Sequence, residues 1–416
     1  MTVTPFPNSN TWPATNKETG AIVHKSQANV GRFLRLIDCE IYLDTFSSRP
    51  MIVRDGVTSA IDDAAVLKLF FEADEMGLKP PKPWFQDCLS NIANSDRRNA
   101  VRDEIDALAW DGTPRLDGWL VRHAQGRDTE YDRQAFKLCC IAMVRRLRHP
   151  GTKFDQIPVL EGSQGGGKST FLRILSRHDD LFTDALGIGA DDRETIEIAH
   201  GKLIVELGEL AGISKRDLNN VKAFASRQSD RARLAYARFA IETPRQFTIW
   251  GTTNDHEYLS DPTGNRRFWP LKVGRFDLDQ AKADCDQLWA EAAVLEANGH
   301  PLMLDPKLWT AASEVQRARL VADTWEDAIS HKLDLFRNHA IKVRTGDIML
   351  SIGVKLDRQD RQTQMRTATI MQRLGFQPCR IGHARARGWL RGRAEQAIIV
   401  ACAIENGDFH SAGSEP

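Results

Sequence analysis

Residues 162–169 read GSQGGGKS, a match to the phosphate-loop pattern G-x-x-x-x-G-K-[ST]. No other feature of the chain constrains the fold as much. Such a loop needs a buried strand to deliver it and a helix to leave it, so that backbone N–H groups and a helix N-terminus converge on phosphate oxygens. Both flanks comply: the apolar IPVL precedes the loop, and STFLRIL, at helical spacing, follows it. Three more runs, GKLIVELGEL, RQFTIWGTTN and RRFWPLKV, read as buried strands with helical segments between them. Strands alternating with helices imply an α/β layer with a mainly parallel sheet.

The chemistry of the loop assigns candidate roles. Gly162, Ser163, Gln164, Gly165, Gly166, Gly167, Lys168, Ser169 and Thr170 are the candidate ATP-binding residues. Lys168 is expected to hold the β and γ phosphates, and Ser169 to give its hydroxyl to Mg²⁺. A phosphate loop also needs an acid on a neighbouring strand. Glu206 follows the apolar run LIV, and Glu209 lies three residues on. One carboxylate can orient the Mg²⁺ water shell and a second can polarise the attacking water. Asn254, at the polar end of TIWGTTN, is a candidate sensor of the γ-phosphate or the lytic water.

Arg266 and Arg267 follow Asn254 by 12 and 13 positions. A planar guanidinium stabilises spreading phosphoryl charge, and in a ring one subunit's arginine can reach the next subunit's ATP. Alternation along RRFWPL, read as a strand, turns the two to opposite faces. One of them, with Arg267 preferred, is then the finger. The other fixes the turn through Asp261 or a nearby carboxylate.

A chain of 416 residues is long enough for two or three domains. The expected layout is a loose polar tail over 1–29, a small and mostly helical domain over 30–135, the ATPase over 136–300, a DNA-binding domain over 301–400 and a tail over 401–416. In the second of these, VGRFLRLIDCEIYLDTF reads as one or two short strands and DDAAVLKLFFEADEMG as a capped helix. The seven cysteines are scattered, with no C-x-x-C pair or metal-finger spacing, and read as reduced core thiols. There is no 18-residue apolar run and no basic n-region before an apolar h-region, so neither a membrane span nor a secretory signal is expected, and the location is expected to be cytoplasmic.

Taken together, WDGTPRLDGWL, RHPGTKFDQIPVLEGSQGGGKSTFLRIL, LIVELGEL, FASRQSDRARLAYAR and GTTNDHEYLSDPTGNRRFWPL resemble the virulence-associated E proteins of phages and phage-like islands. The order of loop, Glu-x-x-Glu, Asn and Arg-Arg is similar to that of superfamily-three helicases within the AAA+ ATPases. The resemblance is dense over about residues 105 to 275. It implies an AAA+-type P-loop core and a hexameric, ATP-driven DNA translocase acting in replication of a mobile element, with a separate primase as a partner. Several superfamily-three members carry two adjacent acids at the strand end. Here Glu206 is followed by Leu207 and the second acid is Glu209, so which acid faces the metal stays open.

Formal net charge is zero, with 56 basic and 56 acidic residues, yet two segments are basic. Residues 213–238 hold seven Lys/Arg against two acids. Of these, Lys222, Arg227, Arg231, Arg233 and Arg238, near Tyr236 and Phe239, suit contact with single-stranded DNA through phosphate pairing and base stacking. The resemblance implies a channel-facing hairpin there. Residues 341–393 carry twelve Lys/Arg and three Asp. Helix, turn, helix and an Arg-rich hairpin is winged-helix order, with Arg366 and Arg373 on the second helix and Arg385 and Arg387 on the wing as duplex-DNA contacts. The expected function is therefore an ATP- and Mg²⁺-dependent DNA helicase. The alternative is a nucleotide-switched DNA-binding regulator with slow turnover. A small-molecule kinase is disfavoured, having little use for a basic C-terminal domain.

Overall fold

The computed structural model describes residues 12–186, 192–210, 214–232, 241–259, 264–321, 323–382, 385–402 and 409–411. It is a mixed α/β protein whose chain divides into two units, Met1–His256 with Arg266–Gln316, and Glu257–Asn265 with Arg317–Pro416.

The first unit begins with α1 (Gln27–Leu36), β1 (Cys39–Asp44), β2 (Arg49–Arg54), β3 (Val57–Ala60), α2 (Asp63–Glu75), α3 (Lys82–Ser95) and β4 (Arg97–Arg98). The strands form a sheet of order β3-β2-β1-β4, with β4 parallel to β1 and the other pairs antiparallel. The expectation of a strand at VGRFLRL is corrected by this geometry. Ser26 caps α1 by accepting from the Asn29 N–H, and Val30, Phe33 and Leu34 are buried at helical, not alternating, spacing. The helix ends at a left-handed residue, Asp38 (φ +50°), and only then does β1 begin.

The chain continues through α4 (Ala100–Asp106), α5 (Trp119–Ala124) and α6 (Glu130–Arg148) to β5 (Ile157–Glu161) and α7 (Lys168–Leu175). Then come β6 (Phe182–Thr183), α8 (Asp192–Ala199), β7 (Ile204–Leu207), α9 (Lys215–Ala225), β8 (Ser229–Ala232), β9 (Ile241–Pro244), β10 (Thr248–Thr253), β11 (Phe268–Lys272), α10 (Leu278–Ala297) and α11 (Trp309–Arg317). A five-stranded sheet of order β11-β5-β10-β7-β6 is parallel throughout. Its central strands are buried on both faces, as parallel strands covered by helices must be. One core cluster fills the space between the sheet and its helices, including Trp119, Phe136, Phe171, Trp250 and Trp289. The sheet order inserts β10 between the phosphate-loop strand β5 and the acid-bearing strand β7.

The second unit holds α12 (Thr324–Asp334), β12 (Ile341–Arg344), α13 (Thr345–Ser351), α14 (Arg361–Arg373), β13 (Gln377–Ile381), β14 (Ala386–Arg391), β15 (Ile398–Cys402) and β16 (Phe409–Ser411). Its sheet order is β13-β14-β12-β15-β16, and β13 and β14 form an antiparallel hairpin directly after α14. Ile341, Val343, Ile348, Ile370, Met371 and Trp389 are part of its own core.

Candidate active site

The loop between β5 and α7 closes tightly because its glycines allow it. A Cβ on Gly162 would sit 2.6 Å from the Val273 carbonyl oxygen, and Gly167, the residue before α7, has φ +91°. A side chain at Gly162 would collide with that carbonyl, and one at Gly167 would be strained by its left-handed backbone. Ser163, Gln164, Gly165, Ser169 and Thr170 are exposed along the loop, Gly162 and Gly167 are half-buried, and Gly166 is buried.

Lys168 is buried at the first position of α7, and its ammonium folds back over the loop. It donates to the Gly162 carbonyl at 2.8 Å, the Ser163 carbonyl at 2.9 Å and Asn254 Oδ1 at 2.9 Å. Burial pushes its pKa down, opposed by the charge of Glu206. A buried ammonium with three neutral acceptors and its counter-charge on a neighbouring strand is well placed to receive an anion.

Glu206 is 2 % exposed on β7. Its Oε1 accepts from Ser169 Oγ at 2.7 Å and from Thr252 Oγ1 at 2.6 Å. Its Oε2 is buried and has no hydrogen-bond partner. A buried carboxylate oxygen without a partner is costly unless something else binds it. With the Ser169 hydroxyl on the same carboxylate, this oxygen fits a hard cation such as Mg²⁺, which takes one or two protein oxygens and keeps the rest of its shell for water and phosphate. Among the described residues no group of three or more His, Cys, Asp or Glu gathers to hold a metal, and a Mg²⁺ site of that kind does not need one.

The intervening strand links these groups. Trp250 of β10 pairs in register with Glu206 and Thr253 with Glu161, so β10 ends beside the loop strand. Asn254, one residue further, reaches Lys168 while Thr252 reaches Glu206. Thr252 is the site residue that sequence reasoning passed over. The signal was there: two threonines closing an otherwise buried strand. Glu209 lies beyond β7, is exposed, and has φ +50°. A non-glycine residue held in the left-handed region is strained, which is characteristic of functional loops.

The arginine pair is arranged differently from expectation. Arg266 and Arg267 lie in a 3₁₀ turn, Asn265–Arg267, and β11 begins only at Phe268. Strand alternation therefore does not set their directions. Arg267 is half-buried, 3.1 Å from Asp155, and donates from Nε to Ser226 Oγ at 3.1 Å. Arg266 is exposed. The guanidinium of Arg267, the preferred finger in the sequence reading, thus already has a carboxylate and a hydroxyl. Asp261, the other expected partner, lies outside the described residues.

The basic residues after β7 divide as well. Lys222 is buried on α9 and engaged within the fold, so it does not present its charge outward, contrary to expectation. Arg227 is half-buried, 5.7 Å from the Phe224 ring centroid. Arg231 is exposed on β8, opposite Glu242 of β9. The base of this hairpin is pinned by a buried pair: Arg245 binds both carboxylate oxygens of Asp230 at 2.6 and 2.7 Å, with its guanidinium 4.0 Å from the Phe224 ring centroid. Arg233, Arg238, Tyr236 and Phe239 lie outside the described residues.

In the second unit the two arginines expected to contact DNA from α14 already have protein partners. Arg366 binds Asp323 at 2.7 Å and lies 4.0 Å over the Trp325 ring, and Arg373 binds Glu326 at 3.1 Å. Residues in and just before α12 thus take up both arginines. Arg385 and Arg387 are exposed on the hairpin.

A family model described as the virulence-associated protein E-like domain matches residues 105–321. Among solved structures, the apo structure of the NrS-1 C-terminal region (305-718) is similar at 12% identity and a TM-score of 0.48, covering 87% of this chain and 98% of that one. The A form apo structure of the same region is similar at 12% identity and a TM-score of 0.45, covering 87% and 99%. No curated protein matches the sequence.

Proposed function

The chain belongs to the virulence-associated protein E-like family, and from that premise we propose that it is an ATP- and Mg²⁺-dependent DNA translocase, a helicase working as a hexameric ring in replication of a phage or mobile element. The first unit is then an AAA+-type P-loop ATPase, and the second a winged-helix-like DNA-binding domain. The observation that carries this reading is the linked set Lys168–Asn254 and Ser169–Glu206–Thr252, with one Glu206 oxygen left over.

ATP would enter over the loop, and Lys168 would exchange its carbonyl and amide partners for phosphate oxygens. Ser169 and Glu206 would hold Mg²⁺, whose charge neutralises the phosphates. Thr252 keeps the Glu206 carboxylate turned toward Ser169. Asn254, released by Lys168, is then at hand to orient the γ-phosphate or a water. Glu209, exposed and strained, is the candidate to take a proton from that water. Arg266 would reach the nucleotide of an adjacent subunit in the ring, where a guanidinium stabilises charge on the transferring phosphoryl group. The β8–β9 pair above the Arg245–Asp230 contact would carry Arg231 toward single-stranded DNA, and Arg233 and Arg238 remain candidates for the same contact from the sequence.

The test is ATP hydrolysis with and without single-stranded DNA, by wild type and Lys168→Ala. Turnover should rise with DNA, and the variant should lose roughly 10²–10³-fold or more, as when a preorganised donor to a reacting oxyanion is removed. Wild-type turnover by Lys168→Ala would remove the enzyme reading altogether. DNA-independent turnover would remove the translocase.

A further inference from the structure

With Arg366 and Arg373 engaged by acids in and near α12, the surface α14 leaves exposed carries a different chemistry. Gln362, Met365 and Gln372 are exposed and Thr369 half-exposed, at positions that follow one another along a single helical stripe. Met365 is 61 % exposed, unusual for so large an apolar side chain on a helix whose opposite face is core. The stripe is uncharged, and α14 contains no Asp or Glu. It is about 15 Å long at the rise of an α-helix, which spans roughly four base-pair steps.

Its surroundings are cationic. Arg358 and Arg361 are exposed at the N-terminal end of α14, beside the exposed Asp357 and the capping Asp360. Beyond the helix, residues 377–391 contain four arginines and no acid. In the β13–β14 register Arg380 stands directly opposite Arg387, and both are exposed. Like charges facing one another across a ladder repel. A phosphate between them turns that repulsion into attraction. Arg385 is exposed at the end of the same hairpin, and its carbonyl accepts from Arg380 Nη1 at 3.1 Å.

We propose that Gln362, Met365, Thr369 and Gln372 read A·T-rich duplex DNA in the major groove, while Arg380, Arg385 and Arg387 clamp phosphate. This deepens the proposed function and rests on its reading of the second unit as duplex-binding. The chemistry favours A·T. A glutamine amide can pair bidentately with adenine N6 and N7, and the Thr and Met methyl groups suit the thymine methyl. Guanine is chiefly read by arginine; of the three arginines of α14, Arg366 and Arg373 are occupied within the unit and Arg361 stands at its first position, beyond the end of the stripe. A protein partner would ask for a more apolar stripe than one with two glutamines.

The experiment is selection of bound duplexes from a randomised pool by the full-length chain, followed by affinities of the enriched and scrambled duplexes at fixed salt. Wild type should enrich a run of about four A·T-rich pairs. Gln362→Ala/Gln372→Ala should cut the preference for that run over the scrambled duplex by roughly tenfold or more, leaving the scrambled affinity unchanged. Gln372→Glu, at the same surface position, should move the preference at one pair toward C·G, because a carboxylate accepts from cytosine N4. Arg385→Ala/Arg387→Ala should weaken both duplexes equally. Binding to duplex with no sequence preference, or a preference that survives the double glutamine variant, overturns the inference and leaves the DNA-binding reading intact. No duplex binding at all overturns both. Enrichment of single strands or of a protein in place of duplex also overturns it.

Discussion

The site at the GSQGGGKS loop and the α14 helix are both rich in polar side chains, yet the fold treats them in opposite ways. In the site, Lys168, Ser169, Glu206, Thr252 and Asn254 are drawn into one hydrogen-bonded set. On α14, Arg366 and Arg373 are drawn away from the exposed stripe by Asp323 and Glu326. The first arrangement comes from backbone geometry, because strand ends and loop positions fix where side chains begin. The second comes from the residues that face the helix on a neighbouring element. A strand-end motif therefore predicts position well, while a cluster of arginines predicts only that anions will be found, inside the protein or out.

The same division runs through the pair Arg266 and Arg267, and the largest expected effect tests it. Arg266→Ala should spare nucleotide binding and reduce hydrolysis by roughly 10³–10⁵-fold, the range for a finger supplied in trans. Mixing it with Lys168→Ala should restore part of the activity, since some interfaces then pair an intact loop with an intact finger. Arg267→Ala should instead lower stability by about 1 kcal/mol, through loss of a partly exposed pair with Asp155. A dead Arg267 variant with normal melting, beside an active Arg266 variant, would reverse the assignment.

Next in size is Glu206→Gln. It should keep ATP binding and lose about two decades of turnover, the scale of losing a proton-transfer or metal-orienting acid. It should also weaken the dependence of turnover on Mg²⁺ concentration, because the amide no longer offers a second anionic oxygen. If Glu209→Gln alone shows the loss, the roles of the two acids are exchanged.

A smaller effect separates displayed from engaged arginines. Arg385→Ala/Arg387→Ala should reduce the slope of log affinity for duplex against log salt by roughly two, about one for each phosphate that is no longer neutralised. An unchanged slope would mean that these two arginines make no phosphate contact.

The smallest expected effect is Arg366→Ala. It should leave duplex affinity within about twofold and cost about 1 kcal/mol in melting experiments, from an exposed ion pair and a contact with the Trp325 ring. A drop in affinity as large as that of the hairpin variant would show that Arg366 leaves Asp323 when DNA binds.

What the sequence determined by itself is what local spacing can encode. The loop GSQGGGKS lies between β5 and α7 because glycines, an apolar tetrapeptide and a helical run are all local signals. The acid strand and the Asn strand were legible for the same reason, as was a hairpin after α14. Local periodicity failed at VGRFLRL, where two periods compete over few residues and the Ser26 cap and three buried positions give α1, and at Arg266 and Arg267, which lie in a 3₁₀ turn before β11 begins. The tertiary structure decided what depends on residues far apart in the chain. The insertion of β10 between β5 and β7 brings Asn254 to Lys168 and Thr252 to Glu206 across 86 and 46 positions. Asp155, 112 positions before Arg267, engages that arginine in place of the exposed Arg266. Asp323 and Glu326 engage Arg366 and Arg373 from more than 40 positions away. A charged side chain advertises only its sign in sequence, and whether its partner is a protein carboxylate or a phosphate is settled when packing brings a carboxylate within reach.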